Sequence, residues 1–352
     1  MSARATRAPS SAVTTFVVAS RYLPVYVAIL LLIVVAAIWA PDTLSGPALS
    51  SIAPFGTFLA LTALGQMLVI MTGGIDLSVP GTFTLAAAVT VGVGGASDEK
   101  IWTAIGVALV LCALVGLVNG ILVGGLGLNA LIVTLAVGQI VMGLAIRYYT
   151  GVAIQTPAPE GLSSWTSTRF LGVTRTFWLG VLVTLLLIVL FRYTTLGRRF
   201  QIVGANPTAS GIAGLRVNLN QVTAYVVAAL LYAVAGILMA AFLRTISITI
   251  GAPYLLGPIA AVVIGGASLT GGLASPLSTW AAAFFLAGLN QMMRVMGLPT
   301  ALQFVVFGLV IVGGMLVSGD RIIRAVEQVL RDRRRADPVD GRTTAAPGDG
   351  TT

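Results

Sequence analysis

The sequence contains no histidine, a single cysteine and a single lysine, and only 9% of its 352 residues are charged. Without histidine there is no imidazole to hold zinc or haem and none to act as a general base. Cys112 lies alone in an apolar run, so no disulfide forms within one chain and the thiol reads as a small hydrophobe. Lys100 is not part of a GxxxxGK[ST] stretch, so this chain has no phosphate-binding loop of that kind for ATP. The apolar runs hold no pair of acids and no plausible Ser–Lys pair, which leaves an intramembrane enzyme without a base. No catalytic residue, metal site or cofactor of the chain's own is therefore expected.

What is present is hydrophobic. A soluble domain carries about 25% charged residues, whereas this chain is 57% hydrophobic with a mean hydropathy of +1.00. That fraction is about 200 residues, enough for roughly ten helical spans of about 20 residues each. Apolar runs divided by Gly, Pro and polar breaks place the spans at 22–40, 52–71, 78–95, 101–124, 129–149, 176–193, 220–243, 256–268, 276–296 and 301–318. The run from Tyr22 to Ala40 is longer than the h-region of a signal peptide and reads as a retained first span. The run at 256–268 is short and bounded by glycine, as in a broken or re-entrant helix. The fold class is all-α, a polytopic membrane protein. Its domains read as an N-terminal tail over 1–21, a membrane region over 22–318 and a basic, partly disordered tail over 319–352.

The net charge of +9 is arranged for a membrane and not for nucleic acid. Seven arginines follow Asp320, four flank the loop at 194–219 and three lie at or before residue 21. With ten spans and the N-terminus inside, 14 of the 20 Lys and Arg residues face the cytoplasm, as the positive-inside rule requires. A nucleic-acid groove would instead need a basic stripe with aromatics on a polar fold.

Three stretches carry local signals. In GQMLVIMTGGIDLSVPG, residues 65–81, an apolar helix runs into Gly73 and Gly74, and Asp76, Ser78 and Pro80 restart one. Asp76 or Ser78 reads as the N-cap of the next helix. The competing reading makes Asp76 an intramembrane proton or ion site, the basis of an ion- or proton-coupled carrier, although no second acid or histidine accompanies it. A related stretch, GGASLT, begins at Gly265 and Gly266 and hints at an internal repeat. In the loop at 194–219, Asn206 and Pro207 read as N-cap and first turn of a short helix, with Gly211 inside it and Gly214 as its stop. Within the spans, Gln66, Asn119, Thr134, Gln139, Asn290, Gln291 and Gln303 either bond helix to helix or line a path for a neutral polar solute.

Four stretches in order, MTGGIDLSV at 71–79, LIVTLAVGQIVMGLA at 131–145, GRRFQIVGANPTASGIAGLRV at 197–217 and IAAVVIGGASLTGG at 259–272, resemble the permease subunit of bacterial ABC importers for sugars of the ribose, xylose and galactose type. The resemblance covers about 22–318. It implies a multi-pass protein of the bacterial plasma membrane with both termini cytoplasmic, working as a homo- or heterodimer of permease subunits. It also implies a separate ATP-binding subunit and an extracytoplasmic binding protein that delivers a sugar or polyol. The ATPase-coupling segment would run from Gly204 to Leu215. Relatives usually carry acidic residues just after the asparagine, where this chain has Pro207, Thr208, Ala209 and Ser210.

Overall fold

A computed structural model describes residues 11–153 and 156–317. The proposed tail at 319–352, with its seven arginines, lies outside the described residues. The described chain folds into helices α1 (Ser11–Trp39), α2 (Gly46–Met71), α3 (Val79–Gly94), α4 (Ile101–Gly120), α5 (Ala130–Tyr148) and α6 (Glu160–Ser167). A two-stranded hairpin follows, β1 (Arg169–Phe170) and β2 (Val173–Thr174). Then come α7 (Arg175–Tyr193), α8 (Thr195–Ala205), α9 (Pro207–Ile212), α10 (Val217–Leu243), α11 (Gly257–Ile264), α12 (Pro276–Val295) and α13 (Thr300–Val317). Every expected span meets a helix. One detail differs from the sequence reading, in that α1 already begins at Ser11, while the hairpin and α6 lie between the expected spans 129–149 and 176–193. The expected broken span is α11, which stops after eight residues.

Among the described residues, six helical stretches are long and apolar enough to cross a bilayer, while α3 and the stretches 252–264 and 301–314 are shorter apolar helices. Burial sorts the six. In α2, 94% of the apolar window is buried, against 11% in α1 and 28% in each of α4, α5 and α7. The bundle therefore wraps α2, with α10, α11 and α12 against it and α3 behind α10. The outer helices turn Leu, Ile and Val outward, among them Leu30, Ile132, Leu144 and Leu186. Such faces suit hydrocarbon, where the backbone bonds are satisfied inside each helix.

The two ends of the bundle differ. At one, which we term the α9 end, the 72–78 loop meets the 268–273 loop and α8: Gly272 N–H donates to Met71 C=O at 2.9 Å. At the other, the hairpin end, Asp98 Oδ1 accepts from Gly161 N–H at 2.8 Å and Arg244 C=O accepts from Ala158 N–H at 2.8 Å.

The tightest helix pair is α4 on α10. Gly116, Gly120 and Gly124 recur every four residues and so share one face. A methyl added at Gly116 would lie 2.6 Å from Tyr225 O, at Gly120 2.7 Å from Val222 Cα, and at Gly124 2.7 Å from Gln221 Cβ. Small residues at this spacing let two backbones touch, the main source of helix association where lipid is as apolar as leucine. Gly106, on the same helix, has nothing within 4 Å. Gly120→Ala should therefore lose about 1–3 kcal/mol through overpacking. Gly106→Ala should hold or gain up to about 1 kcal/mol from helix propensity. Thermal unfolding of the detergent-purified chain reads both, and equal midpoints would mean that α10 does not lean on this stripe.

Candidate functional site

The GGIDLS stretch is the first part of the site. α2 ends because Gly73, at φ +86°, takes a left-handed turn. Gly73 N–H then donates to Ile70 C=O and Gly74 N–H to Val69 C=O, the paired bonds of a Schellman stop. Gly266, at φ +83°, ends α11 in the same way, with Gly266 N–H donating to Val263 C=O and Ala267 N–H to Val262 C=O. The two stretches thus share a helix stop, shifted by one residue from the match of Gly73–Gly74 with Gly265–Gly266 suggested by the sequence.

After its stop the 72–78 loop folds back into the bundle. Ser78 reaches Gly138, near the middle of α5, where a methyl on Gly138 would sit 2.8 Å from Ser78 Cα. At this depth every backbone group needs a partner, and polar side chains from three helices supply them. Gln66, in the orientation that satisfies its neighbours, donates to Asp76 C=O, accepts from Asp76 N–H and reaches the Tyr232 hydroxyl, each at 3.1 Å. Thr134 Oγ1 accepts from Leu77 N–H at 2.9 Å and donates to Ala130 C=O at 2.7 Å. Asp76 Oδ1 accepts from Ser78 N–H at 2.8 Å and from Ser78 Oγ–H at 2.6 Å. Asn119 Nδ2 donates to Ser78 Oγ at 2.9 Å.

The expected N-cap is corrected here. Ser78 occupies the N-cap position of α3 but its side chain makes no cap bond, because its hydroxyl is turned to the Asp76 carboxylate. Asp76 closes a turn onto Ser78 and is itself fully buried. It is the only buried acid among the described residues. Asp76 Oδ2, Asn119 Oδ1 and the Tyr225 hydroxyl have no hydrogen-bond partner there, and the Tyr225 hydroxyl presses on Gly74, where an added methyl would come within 2.5 Å.

The second part is the 194–216 stretch, which holds two helices where the sequence reading foresaw one. In α8, Gly197, Phe200, Val203 and Gly204 fall on one face and are buried, with Phe200 edge-on to Phe191 at 6.3 Å between ring centroids. In α9, Asn206 Oδ1 accepts from Ala209 N–H at 2.9 Å, and Pro207 takes the first helical position. Gly214, at φ +81°, ends it, with Leu215 N–H donating to Ser210 C=O at 3.0 Å. Only Ser210 of α9 is buried; Ile212 is 86% exposed. Arg198, Arg199 and Arg216 are exposed beside it, and neither an ion pair nor a side-chain hydrogen bond ties them to the described residues.

The two parts meet backbone to backbone. A methyl on Gly204 would collide with Met71 O and lie 2.8 Å from Gly272 N. One on Gly271 would lie 2.5 Å from Gly204 O, and one on Gly272 would lie 3.0 Å from Ala205. Gly204, expected on the docking surface, is thus the buried hinge pin behind it, while Asn206, Pro207, Gly211 and Gly214 are exposed and Leu215 half-buried.

The seven candidate residues do not all come together. Gln66, Asn119 and Thr134 are buried around residues 76–78, Gln66 and Thr134 on backbone groups and Asn119 on the Ser78 hydroxyl, while Gln291 accepts from Arg294 at 2.7 Å. Gln139 is exposed on α5, Asn290 is half-buried on α12, and Gln303 donates to Leu298 C=O at 2.8 Å. Tyr225 and Tyr232 were missed by the sequence reading. Their spacing of seven, two turns on one face of α10, was the available signal. Gly271 and Gly272 were missed likewise.

A family described as "Branched-chain amino acid transport system / permease component" matches residues 48–315. The ribose import permease protein RbsC of Escherichia coli (strain K12) is 32% identical over 298 residues, 84% of this chain and 92% of that protein. The autoinducer 2 import system permease protein LsrC of Klebsiella pneumoniae is 33% identical over 317 residues, 90% of each chain. The ribose import permease protein RbsC of Bacillus subtilis (strain 168) is 32% identical over 259 residues, 73% of this chain and 80% of that one. No solved structure matches.

The network around Asp76 makes a separable prediction. Asp76→Asn keeps a side-chain oxygen for Ser78 and should stay folded. Asp76→Leu strands the Ser78 N–H and hydroxyl and should lose about 1–3 kcal/mol for each buried group left unpaired. Thermal unfolding in detergent compares them, and a leucine variant as stable as the asparagine one would remove the carboxylate from the fold's support.

Proposed function

We propose that this chain, which belongs to the family of branched-chain amino acid transport system permease components, is the membrane-spanning subunit of an ATP-driven importer for a sugar or polyol. Relatives named for ribose and autoinducer 2 import match it over most of their length. The ATPase sits on a separate subunit, an extracytoplasmic binding protein delivers the solute, and a second permease subunit completes the pathway. The α9 end faces the cytoplasm, because 14 of the 20 cationic residues then lie inside.

The observation that carries this reading is α9 itself. A capped helix of six residues, exposed along nearly its whole surface and anchored to its own chain mainly through Ser210, gains little from packing there. Short helices are marginal in water without such packing. Its backbone is instead held by a cap, a glycine stop and the Gly204 junction, a construction that suits a knob gripped by another protein. Arg198, Arg199 and Arg216, which pair with no acid among the described residues, offer that partner cations. The solute class follows from the spans: Asp76 is the one buried acid among the described residues and one of its oxygens is taken by Ser78, so a neutral, hydroxyl-rich solute fits better than an ion. An ion- or proton-coupled carrier built on Asp76 has no second acid and no histidine beside it in the described spans, its titratable neighbours being the Tyr225 and Tyr232 hydroxyls.

Ile212→Glu, or bulky charged residues across Gly211–Gly214, should abolish uptake and co-purification with the ATPase while membrane insertion persists. Wild-type uptake by such a variant would overturn the coupling role. The chain reconstituted alone in liposomes should not accumulate solute under an ion gradient; accumulation would restore the carrier.

A further inference from the structure

Between α10 and α11 the chain does something the sequence reading placed in an outer loop. It leaves the hairpin end at Arg244 and dips back into the bundle without forming a helix until Ala252. The depth is fixed by contacts. Tyr149 Oη–H donates to Ile246 C=O at 2.7 Å. Gly251 is packed so closely that an added methyl would clash with Pro80 O and lie 2.5 Å from Thr84 Oγ1. In the same turn of α3, Thr82 C=O accepts from Cys112 Sγ–H at 3.5 Å, and Cys112 lies midway along the Asp98–Gly125 span. Tyr254 stacks on Phe83 with ring centroids 4.4 Å apart and donates to Met239 Sδ at 3.4 Å. The segment is therefore pinned from the hairpin end to the middle of the bundle.

Its backbone is not satisfied there. Among the described residues, the N–H groups of Thr245, Ile246, Ser247, Ile248 and Thr249 have no hydrogen-bond acceptor. Irregular backbone at membrane depth survives only where protein buries it or where it borders water. This stretch is not buried: Thr245, Ser247, Ile248 and Thr249 are exposed, and Ile246 and Ile250 point inward. It borders an open recess of about 540 Å³ lined by Met239, Thr245, Ser247, Thr249, Ile250 and Pro253 among others. Its lining holds hydroxyls and apolar carbon and no charge, with Ser247 Oγ and Thr249 Oγ1 3.1 Å apart.

We propose that Thr245–Pro253 is the solute-contacting wall of the pathway, with the hydroxyls of Ser247 and Thr249 as specificity-determining groups. The assignment rests on the sugar-permease reading above. A sugar presents a C–H face and a rim of hydroxyls. Ile250, Pro253 and Met239 offer carbon to the face, while Ser247, Thr249 and the free N–H groups offer donors and acceptors to the rim. Discontinuous segments near the midplane are where transporters place such sites.

The lone Cys112, which is buried, allows a clean test in the full chain assembled with its partner subunits in native membranes. In a Cys112→Ala background, Ser247→Cys and Thr249→Cys should react with a membrane-impermeant, water-soluble maleimide at least tenfold faster than Leu186→Cys on the outer face of α7. In the native background, Ser247→Ala and Thr249→Val should raise the KM for radiolabelled D-ribose about tenfold, with chain abundance and ATPase co-purification unchanged. Three results would overturn the wall: no labelling, which marks contact with lipid; spontaneous disulfide-linked dimers in place of labelling, which marks contact with a second copy; or labelling with unaltered uptake in both hydroxyl-free variants. Labelling needs no solute, so a wall that labels in an importer indifferent to D-ribose counts against the choice of sugar alone.

Discussion

The bond pair between Gln66 and the backbone of Asp76 is the interaction on which much of the architecture turns. Hydrocarbon offers no partner to a free N–H or C=O, so a chain that stops being helical inside a membrane must bring its partners along. Between α2 and α3 it does so with one amide that mimics a strand neighbour, a threonine that serves Leu77, and a carboxylate that serves Ser78. The amide comes from α2 and the threonine from α5, the carboxylate is the loop's own, and Asn119 of α4 holds the Ser78 hydroxyl, so the closure of the loop and the packing of these helices depend on each other. The short α3 and its glycine contact with α5 follow from that geometry.

The same constraint separates the two irregular segments. The 72–78 loop is closed by side chains and buried, so it holds the bundle together. In the 244–251 segment the N–H groups of residues 245–249 find no acceptor among the described residues and the hydroxyls are exposed, which suits a surface for something polar. Irregular backbone at one depth thus serves opposite purposes, and the count of satisfied groups tells them apart.

Much of this was legible in the sequence. Run length and glycine breaks placed the ten helical spans, since bilayer thickness sets how many apolar residues a crossing needs. Asn206, Pro207 and Gly214 marked α9 because caps and stops are local chemistry and need no knowledge of distant neighbours. What stayed hidden was non-local. Gln66, Asn119 and Thr134 are polar residues in apolar helices, and that pattern is the same whether a side chain faces a pore or another segment's backbone. Only the fold shows that all three converge on residues 76–78. The stretch Thr245-Ile246-Ser247-Ile248-Thr249-Ile250 did carry a mark, a strict alternation of hydroxyl and isoleucine. That period does not belong to a helix, and the stretch is indeed non-helical, although residues 248–250 form a turn and Ile248 is exposed.

The junction of Gly204 with Met71, Gly271 and Gly272 carries a mechanical corollary. Where side chains separate two segments, rotamers can absorb an ångström of motion and damp it. Here nothing but peptide units stands between α8, the end of α2 and the 268–273 turn, so the linkage has no slack. Were α9 to be displaced, these contacts would carry the motion to the base of α2 on one side and to the foot of α11 on the other.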